Sequence, residues 1–179
     1  LQGVMRNTMA SPSTIGVTSG ASFVGYMTLV AFPAYAYLLP VGSIVGAFAT
    51  TMLIYALAYQ KGVSPVKMIL SGMAVSALFG AFNDMIKTFF AESLGNASGF
   101  LVGGLNGTEW KSLYSMLPYA AAGILICMFL PARMNILMLG DETANALGLR
   151  TERFRFLLIV VSSLLSGAAI SVAGLISFV

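Results

Sequence analysis

The chain has 179 residues, 58% of them hydrophobic and only 8% charged, with nine basic and six acidic residues and a formal net charge of +3. A soluble domain carries about 25% charged residues, so this composition, with a mean hydropathy of +0.91, excludes a soluble globular protein and points to an integral membrane protein. The basic balance is therefore no sign of nucleic-acid binding. With no histidine and one cysteine, no internal disulfide, transition-metal or haem site, or bound cofactor is expected.

The chain starts at Leu1 without an initiator Met and stops at Val179 inside an apolar run. It reads as a piece of a longer membrane protein, with residues 1–5 the tail of an earlier span. Five candidate spans follow, at 14–37, 41–59, 66–90, 113–130 and 154–176. Each is near or above the ~20 residues that cross ~30 Å of hydrocarbon. The expected fold is all-α, a polytopic transmembrane helical bundle forming one membrane domain over 1–179.

In the first span, Gly16 and Gly20 form a small-xxx-small pair, and Gly42 and Gly46 form another in the second. Pro33 and Pro40 bracket a tight turn between these spans, with Pro33 ending regular helix early or kinking it. Gly72, Ala74, Ser76 and Gly80 line the third span, and Ser162, Ser163, Ser166, Gly167, Ala168 and Ala169 the fifth. Small residues at these spacings serve either helix packing or a transport path. The eleven methionines read as packing residues.

Apart from Lys67 and Arg155, each the second residue of its span, Asp84 and Lys87 are the only charges inside a predicted span, three apart and so on one helical face. They fall in its last two turns, where both can snorkel, and are expected to form a structural pair near the outer mouth. The loop 91–112 is glycine-rich and moderately apolar, with a short interfacial helix expected at 97–102. Trp110 and Tyr114 sit where an aromatic belt belongs. Asn96-Ala-Ser and Asn106-Gly-Thr match the glycosylation pattern, a chance occurrence in so Gly/Ser/Asn-rich a loop.

Between Pro131 and Phe154 lies a polar segment that contains a short helix. Asp141 is placed to cap it, Glu142 lies in its first turn, and Gly148 can close it in a left-handed conformation. Ala144 and Leu147, three apart, share one face, the one expected to pack against a partner. So short a helix is marginal in water unless something packs on it.

Charge sets the orientation. Arg6, Lys61, Lys67, Arg133, Arg150, Arg153 and Arg155 fall in one set of alternating loops, and only Lys111 in the other. Seven against one is a strong positive-inside signal. It makes 6–13, 60–65 and 131–153 cytoplasmic, and 38–40 and 91–112 external. No Walker loop, zinc-protease helix or nucleophile elbow is present. Catalysis is not expected, and active transport would draw on an ion gradient or a separate ATPase.

Four ordered motifs carry a family resemblance. Residues 1–21 resemble the Met-Gln…Arg-Asn-Pro-Leu-Ala-Asp-Pro…Leu-Gly…Ser-Gly-Ala pattern of FecCD-type permeases, with Thr8 and Ser11 in place of the first Pro and the Asp. Leu70-Ser-Gly-Met-Ala-Val resembles the family's Leu-Ala-Gly-Ile-Ala-Val. Leu139-Gly-Asp-Glu-Thr-Ala-Asn-Ala-Leu-Gly148 resembles its Leu-Gly-Glu-Glu-x-Ala-x-x-Leu-Gly, and Ala173-Gly-Leu-Ile-Ser-Phe-Val179 the start of its Ala-Gly-x-Ile-x-Phe-Val-Gly-Leu segment.

The family comprises membrane subunits of ABC importers for ferric siderophores, haem and cobalamin, with about ten spans each. The resemblance implies that this chain is the middle portion of such a subunit. Partner ATPase subunits, a second permease subunit and an extracytoplasmic substrate-binding protein are implied, in the cytoplasmic membrane of a bacterium or archaeon. It implies an ATPase-coupling segment at Gly140, Asp141, Glu142, Ala144, Leu147 and Gly148, and a cytoplasmic loop motif at Arg6, Asn7, Pro12 and Gly16. An ion-coupled secondary transporter using Asp84, or a membrane scaffold with no path, are the readings that compete.

Overall fold

The computed structural model describes residues 1–5, 7, 10–59, 65–95, 104 and 110–174. Regular structure among them is helical. The helices are α1 (Gln2–Met5), α2 (Val17–Ala31), α3 (Leu39–Ala58), α4 (Pro65–Phe89), α5 (Ala91–Gly95), α6 (Trp110–Met128), α7 (Pro131–Met138), α8 (Asp141–Ala146) and α9 (Thr151–Ala173).

Helix boundaries follow backbone chemistry more closely than hydropathy. The apolar run at 14–37 yields a helix of only 15 residues, α2, about 22 Å long. Its start is set by Gly16, held at φ 87°, with the Gly16 N–H donating to the Ser13 carbonyl at 3.1 Å and the Val17 N–H to the Pro12 carbonyl at 3.0 Å. That pair of bonds closes a helical turn at a left-handed glycine. Its end precedes Pro33, which lacks an N–H and opens a 3-10 segment, Pro33–Leu38. Pro40 then falls in the first turn of α3, where a missing N–H costs nothing.

Three helices, Leu39–Ala58, Val66–Phe89 and Thr151–Ala173, are long and apolar enough to cross a membrane. A fourth crossing is available if Met116–Met128 and Pro131–Met138, bent by 59°, count as one broken span. The break falls at Pro131, the first residue of α7.

α3 is the centre of the packing, lying along both α2 and α9, while α6 packs on α9 and α4 on α2. The small residues sit in these seams. A Cβ on Gly46 would come within 2.6 Å of the Gly20 carbonyl oxygen, and one on Gly167 within 2.9 Å of the Ile44 Cα. A Cβ on Gly72 would meet the Ile15 carbonyl oxygen at 2.5 Å, so α4 presses against the turn before α2. Val4, Ile15, Tyr26, Ile54, Met68, Leu137, Phe154 and Ile159 belong to one buried cluster that spans the helices. Large apolar side chains such as Phe89, Trp110 and Phe129 face outward, the arrangement a bilayer tolerates and water does not.

Two groups of contacts mark opposite ends of α9. At one end α1 packs on α7, with Met134 Cε 3.7 Å from where a Gly3 Cβ would lie. At the other, the Gly104 N–H donates to the Ala173 carbonyl at 2.7 Å. Gly104 therefore meets the far end of α9, opposite α7 and α8. The interfacial helix expected at 97–102, both Asn-x-Ser/Thr sites, Arg6 and Lys61 lie outside the described residues. So does the 175–179 part of the last motif.

Candidate functional site: the α7–α8 segment

Eight residues of α7, a Leu139–Gly140 link and six residues of α8 make the segment compact. Gly140 adopts φ 118° and ψ 153° at the N-cap of α8, a conformation open essentially to glycine alone. Asp141 is thus not the cap expected from the sequence. It is the first helical residue, and no side chain caps α8.

The carboxylate of Asp141 does other work. Arg155, one turn into α9 and only 3% exposed, donates from Nη2 to Asp141 Oδ1 at 3.0 Å and from Nη1 to Oδ2 at 3.4 Å. This two-pronged pair ties the first turn of α8 to the first turns of α9. A second tie runs from Thr151 Oγ1 to Asn145 Oδ1 at 3.1 Å. Charge counting along the sequence groups Arg155 with the loop arginines. Helical spacing could have separated it, since it shares a buried face with Thr151, Phe154, Leu158 and Ile159.

The end of α8 forms as the sequence suggested. Gly148 has φ 83°. Its N–H donates to the Asn145 carbonyl at 2.9 Å, and the Leu149 N–H reaches back to the Ala144 carbonyl at 2.9 Å. These two bonds satisfy carbonyls that a helix end otherwise leaves open. The same closure operates at Gly16, so the chain uses it twice on the basic side of the bundle.

Ala144 and Leu147 do not share a fate. Ala144 is fully buried against its own chain, whereas Leu147 is 61% exposed, as are Met138 at 61% and Leu139 at 63%. Ala144 anchors α8 and leaves the apolar Leu147 outward. Glu142 is also exposed.

The other expected residues lie elsewhere. Asn7, Pro12 and Gly16 belong to the turn-rich stretch before α2. A Cβ on Gly16 would lie 2.8 Å from both the Gly72 carbonyl and Ser76 Oγ. Asp84 and Lys87 lie near the end of α4, toward the opposite side. Lys87 Nζ reaches Asp84 Oδ1 at 3.2 Å and stands 5.6 Å from the centroid of the Tyr26 ring. With Asp84 mostly exposed in this chain, the pair itself contributes little to stability.

Among the described residues, an all-helical bundle with several helices long and apolar enough to cross a bilayer is the architecture of a polytopic helical membrane protein. The family model for the FecCD transport family matches residues 1–179, and the chain belongs to that family. An Fe(3+)-citrate import system permease protein of Bacillus subtilis is 34% identical over 179 residues, covering 100% of this chain and 54% of that protein. A cobalamin import system permease protein of Halobacterium salinarum is also 34% identical, covering 100% of this chain and 49% of that protein. A ferric enterobactin transport system permease protein of Escherichia coli is 32% identical, covering 99% and 54% respectively. Among solved structures, an inward-facing metal-chelate type ABC transporter superposes with a TM-score of 0.87 at 29% identity, covering 98% of this chain and 57% of that one. The chain spans about half the length of the curated relatives it matches.

Proposed function

We propose that this chain is the middle portion of the membrane subunit of an ABC importer that carries a ferric siderophore, or haem or cobalamin, across the cytoplasmic membrane. ATP would be hydrolysed by a separate ATPase subunit, with a second permease subunit completing the path and an extracytoplasmic binding protein delivering the cargo. In this reading the five apolar stretches are five crossings, α7 and α8 face the cytoplasm, and Asp84 and Lys87 form a structural pair at the outer mouth.

The observation that carries the reading is the geometry of α8. It is a helix too short to persist alone, yet it is closed at Gly148, anchored by Ala144 and bridged to α9 through Asp141 and Arg155. A connector needs no such fixation. A part that receives force does. Leu147, with Met138 and Leu139 in the same segment, offers apolar surface for an ATPase cleft. The residues of α8 that hold it in place are distinct from those it presents, so docking would not have to disturb its anchoring.

Leu147→Asp tests this. The exposed side chain can be changed without disturbing the fold, but an aspartate in a closed protein–protein cleft costs several kcal/mol. The full-length variant is expected to reach the membrane in normal amount, to lose the ATPase on co-purification and to fail in ATP-driven uptake by vesicles. Normal co-purification and uptake would remove this segment from coupling and take the functional assignment with it.

A further inference from the structure

We infer that the cytoplasmic end of α9 carries a binding site for the phosphate headgroup of an anionic phospholipid, held by Arg133, Arg150 and Arg153. The three arginines line one open cleft of about 340 Å³ beside Gly148, with Leu149 and Leu157 in its wall. All three are exposed. The ion pairs among the described residues are Asp84 with Lys87 and Asp141 with Arg155, so none of these arginines has a carboxylate there. Three guanidinium groups gathered without an acid leave a local positive field that an anion relieves, and their planar forks match phosphate oxygens.

The shape of the site favours a lipid over a soluble anion. Arg153 and Leu157 also border an adjoining cleft of about 840 Å³, whose wall continues through Phe156, Val160 and Val161. From Arg153 to Val161 the wall descends about 12 Å along α9, a helix long and apolar enough to span the bilayer. Charge at the rim and apolar wall below is the profile of a headgroup with an acyl chain beneath it. An acidic protein loop would use the arginines but not the descent. Among the described residues, the only acid bordering either cleft is Glu152, in the second. Assignment to the inner leaflet rests on the orientation proposed above, whereas the headgroup chemistry does not.

Native mass spectrometry of the full-length permease in neutral detergent, with and without its ATPase, tests the site. Phosphatidylglycerol adducts are expected to survive collisional activation that strips phosphatidylcholine. Each arginine replaced by glutamine should weaken retention about fivefold, and the triple Arg133→Gln, Arg150→Gln, Arg153→Gln variant about a hundredfold. The triple lysine variant should retain more lipid than the glutamine one. If the triple glutamine variant does not fold, Arg150→Gln alone decides by its fivefold effect. Equal retention of the two lipids, or unchanged retention in the variants, overturns the proposal. Displacement of phosphatidylglycerol by added ATPase would assign the cleft to a protein surface, and displacement by millimolar inorganic phosphate to a free anion, each overturning it too. Adducts are read without transport, so failure here leaves the import reading standing, and the reverse holds.

Discussion

Gly148 separates two costs that are usually mixed. A Cβ at this position would meet nothing within 4 Å, yet the backbone stands at φ 83°. Space is free and only conformation is charged, at about 1–2 kcal/mol for an ordinary side chain. Gly148→Asn should therefore remain near wild type, because asparagine tolerates the left-handed region, while Gly148→Val should loosen α8 by about 2 kcal/mol. Hydrogen exchange of the Leu149 amide, which closes the helix on the Ala144 carbonyl, measures it directly. Equal protection in both variants would show that the closure does not hold α8. Gly148 was legible in the sequence because a glycine after a short polar helix is a known stop signal. Arg155 was not, because charge counting assigns a side to each arginine without asking which face of its helix it occupies. Nor was Gly140 as the cap, since an aspartate beside it is the commoner capping residue.

At the level of helices, the seams between α2, α3 and α9 depend on residues that have almost no side chain. Gly46 faces the Gly20 carbonyl and Val24 Cβ, at 2.6 and 2.8 Å from a built Cβ. A backbone carbonyl cannot swing aside, so Gly46→Val must push α2 from α3, at an expected cost of at least about 2 kcal/mol. Gly80 makes the control, since its Cβ would meet nothing within 4 Å. Fluorescence-detected size-exclusion of detergent extracts should show loss of the folded peak for Gly46→Val and none for Gly80→Ala. A retained peak in Gly46→Val would mean that the seam yields. The small-xxx-small spacing announced these seams in the sequence, but not which helix would meet which. Hydropathy also overstated the first helix, because it counts apolar residues at 14–37 and ignores that Gly16 and Pro33 fix where a hydrogen-bonded ladder can begin and stop.

At the level of the whole molecule, α1, α7 and α8 lie together and Gly104 lies beside Ala173 at the far end of α9, and the proposed orientation puts the first group in the cytoplasm. A cysteine at position 150 in a Cys127→Ser background should react with a membrane-impermeant maleimide in inside-out vesicles and not in intact cells. The background change is needed because Cys127 is itself exposed. Labelling in intact cells would reverse the orientation. The bridge between Asp141 and Arg155 has a mechanical consequence for such a molecule. It clamps a six-residue helix to the root of one of 23 residues, about 34 Å long. A push on α8 is then not absorbed as local bending but applied as torque at the base of a long stiff rod. A tilt of about 10° there would carry the far end some ~6 Å sideways, given a rod of that length. The shortest helix in the segment thereby becomes the handle of one of the longest.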